Sequence, residues 1–188
     1  MSVFKTPAFY KEFTAKLKGK KVLDLGCGTS KLPGAIGVDL FGFDGVDCIH
    51  NLNQVPYPFE ANSIDAIVMN HVVEHLDFLP TLTDEAHRLL KQGGQLWIAT
   101  PHFTDADSWG DPTHKYHFSV RSMMPFTDKF DLKLAYVSLK GFWKGVGYER
   151  WINDGALSGK PSRRAERWEN KHCFVRRGGE MYFILQKK

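Results

Sequence analysis

The chain has 188 residues, 43% of them hydrophobic and 13% aromatic, enough for one well-buried core and too apolar for a disordered chain. A net charge of +4 argues against a general nucleic-acid binder, and no apolar run approaches the length of a membrane span. Cys27, Cys48 and Cys173 have no paired spacing, which fits reduced thiols rather than a disulfide frame; with no signal-peptide core, the expected compartment is the cytoplasm.

Residues 6–18 place Phe9, Phe13 and Leu17 on one stripe, with Lys11, Lys16 and Lys18 opposite, the pattern of an amphipathic helix covering a sheet edge. Val22 to Leu25 then reads as a short buried strand stopped by glycine. Gly26 and Gly28 let the backbone turn sharply and come close to a ligand, because a Cβ at either place would obstruct it. A second strand at about 35–40 ends in an acid, Asp39. A glycine loop followed by a carboxylate at the tip of the next strand is how a twisted parallel sheet holds the ribose of an adenosine-type ligand. The ligand class narrows further. The dinucleotide fingerprint requires a third glycine where this chain has Lys31, and Asp24, just before the loop, repels a pyrophosphate but attracts an ammonium. S-adenosylmethionine carries that ammonium and no phosphate.

An acid, one apolar residue and alternating glycines (Asp24, Gly26, Gly28), with Asp39 beyond them, resemble the first motifs of the class I S-adenosylmethionine-dependent methyltransferases of type 11-like sequence. Ser30 stands where a third alternating glycine is common. The resemblance implies an α/β, three-layer Rossmann-like fold: a mostly parallel seven-strand sheet with an antiparallel last strand. It also implies a cofactor pocket of Asp24, Gly26, Cys27, Gly28, Asp39, Leu40, Asn51, Leu52, Asn70 and His71 for S-adenosyl-L-methionine.

Only Thr29 to Gly34 separate the loop from the second strand, whereas parallel strands usually need a crossover of about a dozen residues. The helix after the first strand is therefore a single turn at best. The connection Phe41 to Gly45 is as short before a third strand near 46–49, so the helices after strands 1 and 2 are expected to be shortened or absent. An antiparallel second pair also suits the short loop; the parallel one is what the resemblance implies. Asn51 stands where the family often has an acid that accepts from the adenine amino group, and its amide oxygen can still accept.

Ser63 to Asn70 reads as a central strand covered on both faces. The run Asn70-His71-Val72-Val73-Glu74-His75-Leu76 after it resembles the post-strand motif of the largest methyltransferase subfamily, which places Asn70 and His71 where such sheets bind ligands. For Glu74 and His75 the competing reading is a local ion pair shaping a turn. A helix follows, started by Pro80, with Leu79, Leu82, Ala86, Leu89 and Leu90 as its core stripe, Arg88 and Lys91 in its last turn, and Gly93-Gly94 as its stop. Expected next are a fifth strand at Gln95–Thr100, a helix at Ser119–Phe130, a sixth strand at Leu132–Leu139 and a last strand at Met181–Lys188. An insertion at 140–179 within the single domain has no clear period and is long for a structureless loop.

Methyl transfer from a sulfonium needs in-line placement of a nucleophile and, for hydroxyl or amine acceptors, a base. The segment Pro101 to Phe118 is dense in candidates, and His114 or His102 is the expected base. Its Asp-Pro-Thr-His run resembles a signature of a bacterial methyltransferase subgroup. Asp111, His114 and His117, with His102 or Asp105, also have ligand types suited to a divalent ion, and a lid held by hydrogen bonds is a third reading. Residues 160–177 carry a local excess of five positive charges, which suits an anionic acceptor such as a phosphorylated sugar or a lipid headgroup. The function expected is methyl transfer from S-adenosylmethionine to a small-molecule acceptor. The alternatives are a cofactor-binding module without catalysis and a metal-dependent enzyme built on the Asp111/His114/His117 cluster.

Overall fold

In the computed structural model, which describes residues 15–140, 147–156 and 158–188, seven strands join in one sheet. They are β1 (Val22–Leu25), β2 (Ile36–Asp39), β3 (Cys48–Ile49), β4 (Ile64–Asn70), β5 (Leu90–Pro101), β6 (Phe130–Leu139) and β7 (Gly178–Lys187). Their spatial order is β3-β2-β1-β4-β5-β7-β6; the first five are mutually parallel, and β7 runs antiparallel between β5 and β6. The apolar runs of β1 and β4 are buried because both sit in the middle of the sheet. Among the described residues they are accompanied by the α-helices α1 (Leu79–Leu89), α2 (Ala106–Gly110), α3 (Tyr148–Ile152) and α4 (Arg163–Lys171).

No helix lies between β1 and β2 or between β2 and β3, and both pairs are parallel all the same. A crossover without a helix leaves its backbone N–H groups without intrahelical partners, so carboxylates take them. Asp24 accepts from Leu32 N at 2.7 Å, and Asp39 accepts from Gly28 N at 2.8 Å. Asp47 accepts from Gly37 N at 2.7 Å while pairing with Lys31 at 2.8 Å. Lys31 is thus a brace across this crossover. A Cβ on Gly37 would sit 2.6 Å from its stem, which requires glycine at that strand position.

Three expectations need correction. α1 stops at Leu89, because Leu90 turns to extended backbone and pairs with Ile64; Lys91 therefore lies in β5. Gly93, at φ +73°, and Gly94 sit within β5 beside a register shift, and serve as a kink in the strand rather than a helix stop. Residues 119–129 form turns and one 3-10 segment, Met124–Phe126, instead of a helix. Ser119 and Ser122 hydroxyls take backbone N–H groups there, and Pro125 cannot donate into a helix. The insertion, long for a structureless loop, holds α3 and α4 among its described residues, and its Trp168 is buried in the core. The expected helix at 6–18 lies largely outside the described residues; within them Ala15 and Lys16 are helical and Leu17 is buried.

The insertion is fastened to the sheet by His102, which is 0% exposed. Its Nδ1 accepts from Thr104 N at 3.2 Å, so its Nε2 donates to Glu169 Oε1 at 3.1 Å. The same Glu169 oxygen takes Val120 N at 2.7 Å, and Thr104 Oγ1 takes Gly178 N at 2.9 Å. Through Glu169 and Thr104 one imidazole therefore links the end of β5, the segment at Val120, α4 and the start of β7. Replacing His102 by Ala leaves a buried carboxylate short of a donor, a cost of about 3 kcal/mol that lowers Tm by roughly 10 °C in a chain of this size; differential scanning calorimetry measures it.

Candidate active site

The loop after β1 is held down by Val38, whose carbonyl accepts from Gly26 N at 2.7 Å and Cys27 N at 3.2 Å. Gly26 has φ +71°, and a Cβ there would meet the Val72 side chain at 2.3 Å. Gly28 also has positive φ, +51°, yet no protein atom lies within 4 Å of where its Cβ would stand. The two glycines answer different demands: the first admits Val72 beneath the loop, and the second keeps the loop's outer side open. Cys27 between them is buried.

Asp39 stands at the end of β2 with Oδ2 on Gly28 N and Oδ1 on Phe41 N at 3.1 Å. A carboxylate oxygen has two lone-pair sites, so each keeps one for a hydroxyl. Leu40 and Phe41 follow Asp39, Ile49 ends β3, and all three are exposed apolar side chains. Asn51 Oδ1 accepts from Asn53 N at 3.0 Å, closing a local turn, while Leu52 packs half-buried on the core. Asp24 is only 3% exposed, and burial pushes its carboxyl up, with the nearby Asp39 charge adding to this against Leu32 N–H and Lys31. A buried acid in that condition is best relieved by a cation.

At the far end of β4, Asn70 is exposed and His71 adopts φ +54°, a left-handed conformation uncommon outside glycine. Burial works against charge on His71, but hydrogen bonding to Glu180 at 3.1 Å and to Glu74 more than offsets it and brings the imidazole up to about 10. Glu180 keeps its carboxyl low despite burial because His71 and Tyr182 both donate to it. The sequence carries no signal for Glu180: it reaches His71 only because β7 lies beside β5, where Glu180 faces Pro101.

Glu74 sits in a single 3-10 turn, Val73–His75, and its partner is His71 rather than His75. Its Oε2 accepts from Thr100 Oγ1 at 3.0 Å, and its carbonyl accepts from Lys115 N at 2.6 Å. That last bond docks the segment after β5 over the turn, helped by Tyr116 Oη on the Asp77 carbonyl at 2.9 Å and a Lys115–Asp77 ion pair. His75 Nδ1 meets Thr113 Oγ1 at 2.8 Å, and the rings of His75 and His114 lie edge to face at 4.6 Å. His114 is held by Nδ1 on the Ser108 carbonyl at 3.0 Å.

Of the residues expected near the acceptor, the fold brings His114 to the turn after β4 and keeps His102 away, with both ring nitrogens engaged in the core. The cluster of Asp111, His114 and His117 does not form as the spacing suggests. His117 hydrogen-bonds Ser108 Oγ at 2.9 Å and stacks on Trp109 at 3.5 Å, while His114 meets His75 and Glu74. Within the basic insertion, Arg164 pairs with Asp154 at 2.6 Å over the Trp151 ring, and Arg176 covers Tyr148. Lys160, Ser162 and Arg163 line a cavity of about 490 Å³ at the start of α4.

A sheet with β7 inverted between β5 and β6, a glycine loop open on its ligand side and an acid ending β2 define a class I S-adenosylmethionine-dependent methyltransferase domain. The model of a family described as a methyltransferase domain matches residues 5–148, and the chain belongs to that family. It is similar to the mitochondrial ubiquinone biosynthesis O-methyltransferase of Homo sapiens, 32% identical over 45% of this chain and 29% of that protein. The chain thus spans under a third of the length of that curated relative. Among solved structures it resembles an S-adenosylmethionine-dependent methyltransferase from Archaeoglobus fulgidus, with TM-score 0.60, 18% identity and 94% of both chains covered. It also resembles the geranyl diphosphate C-methyltransferase of Streptomyces coelicolor A3(2), solved with S-adenosyl-L-homocysteine, with TM-score 0.59 and 15% identity over 96% of this chain and 78% of that one. The cofactor of the domain is S-adenosylmethionine.

Gly26→Ala should destabilise the chain by about 2–3 kcal/mol, from left-handed backbone and the Val72 overlap together. Adding Val72→Ala should not restore the backbone part, so thermal melts of the single and double variants separate the two causes.

Proposed function

We propose that this domain transfers the methyl group of S-adenosylmethionine to a small-molecule acceptor bound over the carboxyl ends of β4 and β5. The observation that carries the cofactor half is the free space over Gly28 beside a pinned Asp39. The cofactor's ammonium goes to Asp24 and its ribose hydroxyls to Asp39. Its adenine goes among Leu40, Asn51 and Leu52, while Gly26, Cys27 and Gly28 pass beneath it. Asn70 and His71 face its methionine end.

The acceptor lies beneath the segment that Lys115 docks on Glu74, and His114 assists its deprotonation. His102 has no ring nitrogen to offer. The methyl moves from the sulfonium sulfur to the acceptor atom, the leaving thioether is neutral, and no acid is needed. An O-methyltransferase among the relatives supports an oxygen acceptor. The His71 imidazolium and the basic surface of the insertion support one bearing a negative group, such as a phosphorylated sugar or a lipid headgroup. We treat residues 1–188 as one methyltransferase domain with its insertion at 140–179. No helix among the described residues is long and apolar enough to cross a membrane, and free Cys27, Cys48 and Cys173 suit a reducing, cytoplasmic compartment.

Calorimetry should show S-adenosylhomocysteine binding to the wild-type chain. Gly28→Ala should stay folded at a cost of about 1 kcal/mol, since its Cβ meets no protein atom, yet bind at least tenfold more weakly. A variant that binds normally would mean that the cofactor does not pass over the loop. His114→Gln should keep that affinity within about twofold and lower methyl transfer to a small-metabolite extract by roughly 10²–10³-fold. Unchanged transfer would remove His114 from the reaction.

A further inference from the structure

Asp77 lies between the 3-10 turn that ends at His75 and the start of α1 at Leu79, and its polar groups serve two different segments. Its N–H donates to Asn53 Oδ1 at 2.8 Å. Its carbonyl accepts from Tyr116 Oη at 2.9 Å, and its carboxylate pairs with Lys115. Asn53 belongs to the loop after β3, whereas Lys115 and Tyr116 belong to the segment after β5. One residue thus touches the loop on the cofactor side and the segment on the acceptor side.

The loop is braced where the cofactor would lie. His50 N donates to the Asp39 carbonyl at 2.8 Å, so the loop hangs from the residue whose carboxylate pins Gly28. Asn51 then closes a turn, its side-chain oxygen on Asn53 N at 3.0 Å and its carbonyl on Gln54 N at 2.8 Å. That turn sets the Asn53 backbone, and with it the reach of the amide oxygen that meets Asp77.

The segment is seated more lightly. Ser108 and Phe118 are each 1% exposed, but the contacts between them that hold it to the turn are polar and close to water. The side chains of Lys115 and Asp77 are 46% and 64% exposed, and the Thr113 bond to His75 also lies at the surface. Exposed pairs of this kind contribute little each, so the stretch between the two buried residues lifts readily and a small bias shifts its population.

We propose that Asp77 is a positioning residue that couples the two halves of the active site. Cofactor on the loop steadies Asn53, Asn53 holds the Asp77 N–H, and Asp77 holds the segment over the acceptor through Tyr116 and Lys115. The inference rests on the methyltransferase reading for where the two ligands lie. Such a coupling is reciprocal: the factor by which bound cofactor favours the seated segment is the factor by which the seated segment tightens the cofactor. With one neutral hydrogen bond joining Asn53 to Asp77, that factor is about fivefold, the lower end of the range for coupled sites. The cofactor thereby prepares the acceptor side before the acceptor arrives.

Hydrogen exchange read by mass spectrometry over Asp111 to His117, with and without saturating S-adenosylhomocysteine, tests this. In the wild-type chain the bound ligand should slow exchange there about fivefold. Asn53→Ala should reduce the slowing to less than twofold while calorimetry still shows the ligand bound, and Asn53→Asp, which keeps an acceptor for the Asp77 N–H, should restore it. Tyr116→Phe separates seating from coupling: it should speed exchange by a similar factor in both states and leave their ratio unchanged. Melting curves show that each variant is folded. Bound ligand without slowing in the wild-type chain, or full slowing in Asn53→Ala, overturns the coupling and leaves the cofactor reading standing. Failure of the wild-type chain to bind S-adenosylhomocysteine overturns both.

Discussion

The carboxylate of Asp39 is the point on which the cofactor end of the molecule depends. It accepts at once from the glycine loop, through Gly28, and from the turn after β2, through Phe41. Both segments cross between parallel strands without a helix, so neither has a regular partner for its N–H groups. Asp24 and Asp47 do the same work on either side. Three acids and the Lys31 brace thus stand where a helical layer normally would. A carboxylate suits this task because it accepts several strong hydrogen bonds from one point.

The parallel half of the fold was readable because its signals are local. Val22–Leu25 and Ile64–Asn70 are apolar runs bounded by breakers, and six residues between two such runs leave no length for a helix. The glycine loop and the acid after β2 were readable for the same reason. The stop of α1 was not. Gly93-Gly94 has the composition of a helix end, but pairing of Leu90 with β4 ends the helix first. Ser119 to Phe130 shows the same competition: helical spacing was present, and serine side chains and Pro125 outweighed it.

The acceptor side was legible in composition but not in arrangement. In sequence His114 and His102 looked equally able to serve as the base, and His117 stood beside them as a candidate ligand. Their separation came from their partners, two of the three sets remote in sequence: Glu169 draws His102 into the core, Glu74 and His75 receive His114, and nearby Ser108 and Trp109 hold His117. Such pairings obey the sheet order, which places β7 against β5, and no periodicity within one segment reports on that. The insertion showed no period for a related reason. Its α4 is short and strongly charged, and only Ala165, Trp168 and Glu169 are buried on it.

The inverted β7 also governs the order in which the molecule can be assembled. During synthesis the five parallel strands emerge first and can pair from β3 to β5, but β6 then has no neighbour, since it contacts the sheet only through β7. Until β7 slides into the gap, β5 presents a raw edge able to recruit any extended segment. The strand that closes this edge also delivers Glu180 to His71. An intermediate caught before that step would therefore already have its glycine loop pinned by Asp39 while His71 still waited for Glu180.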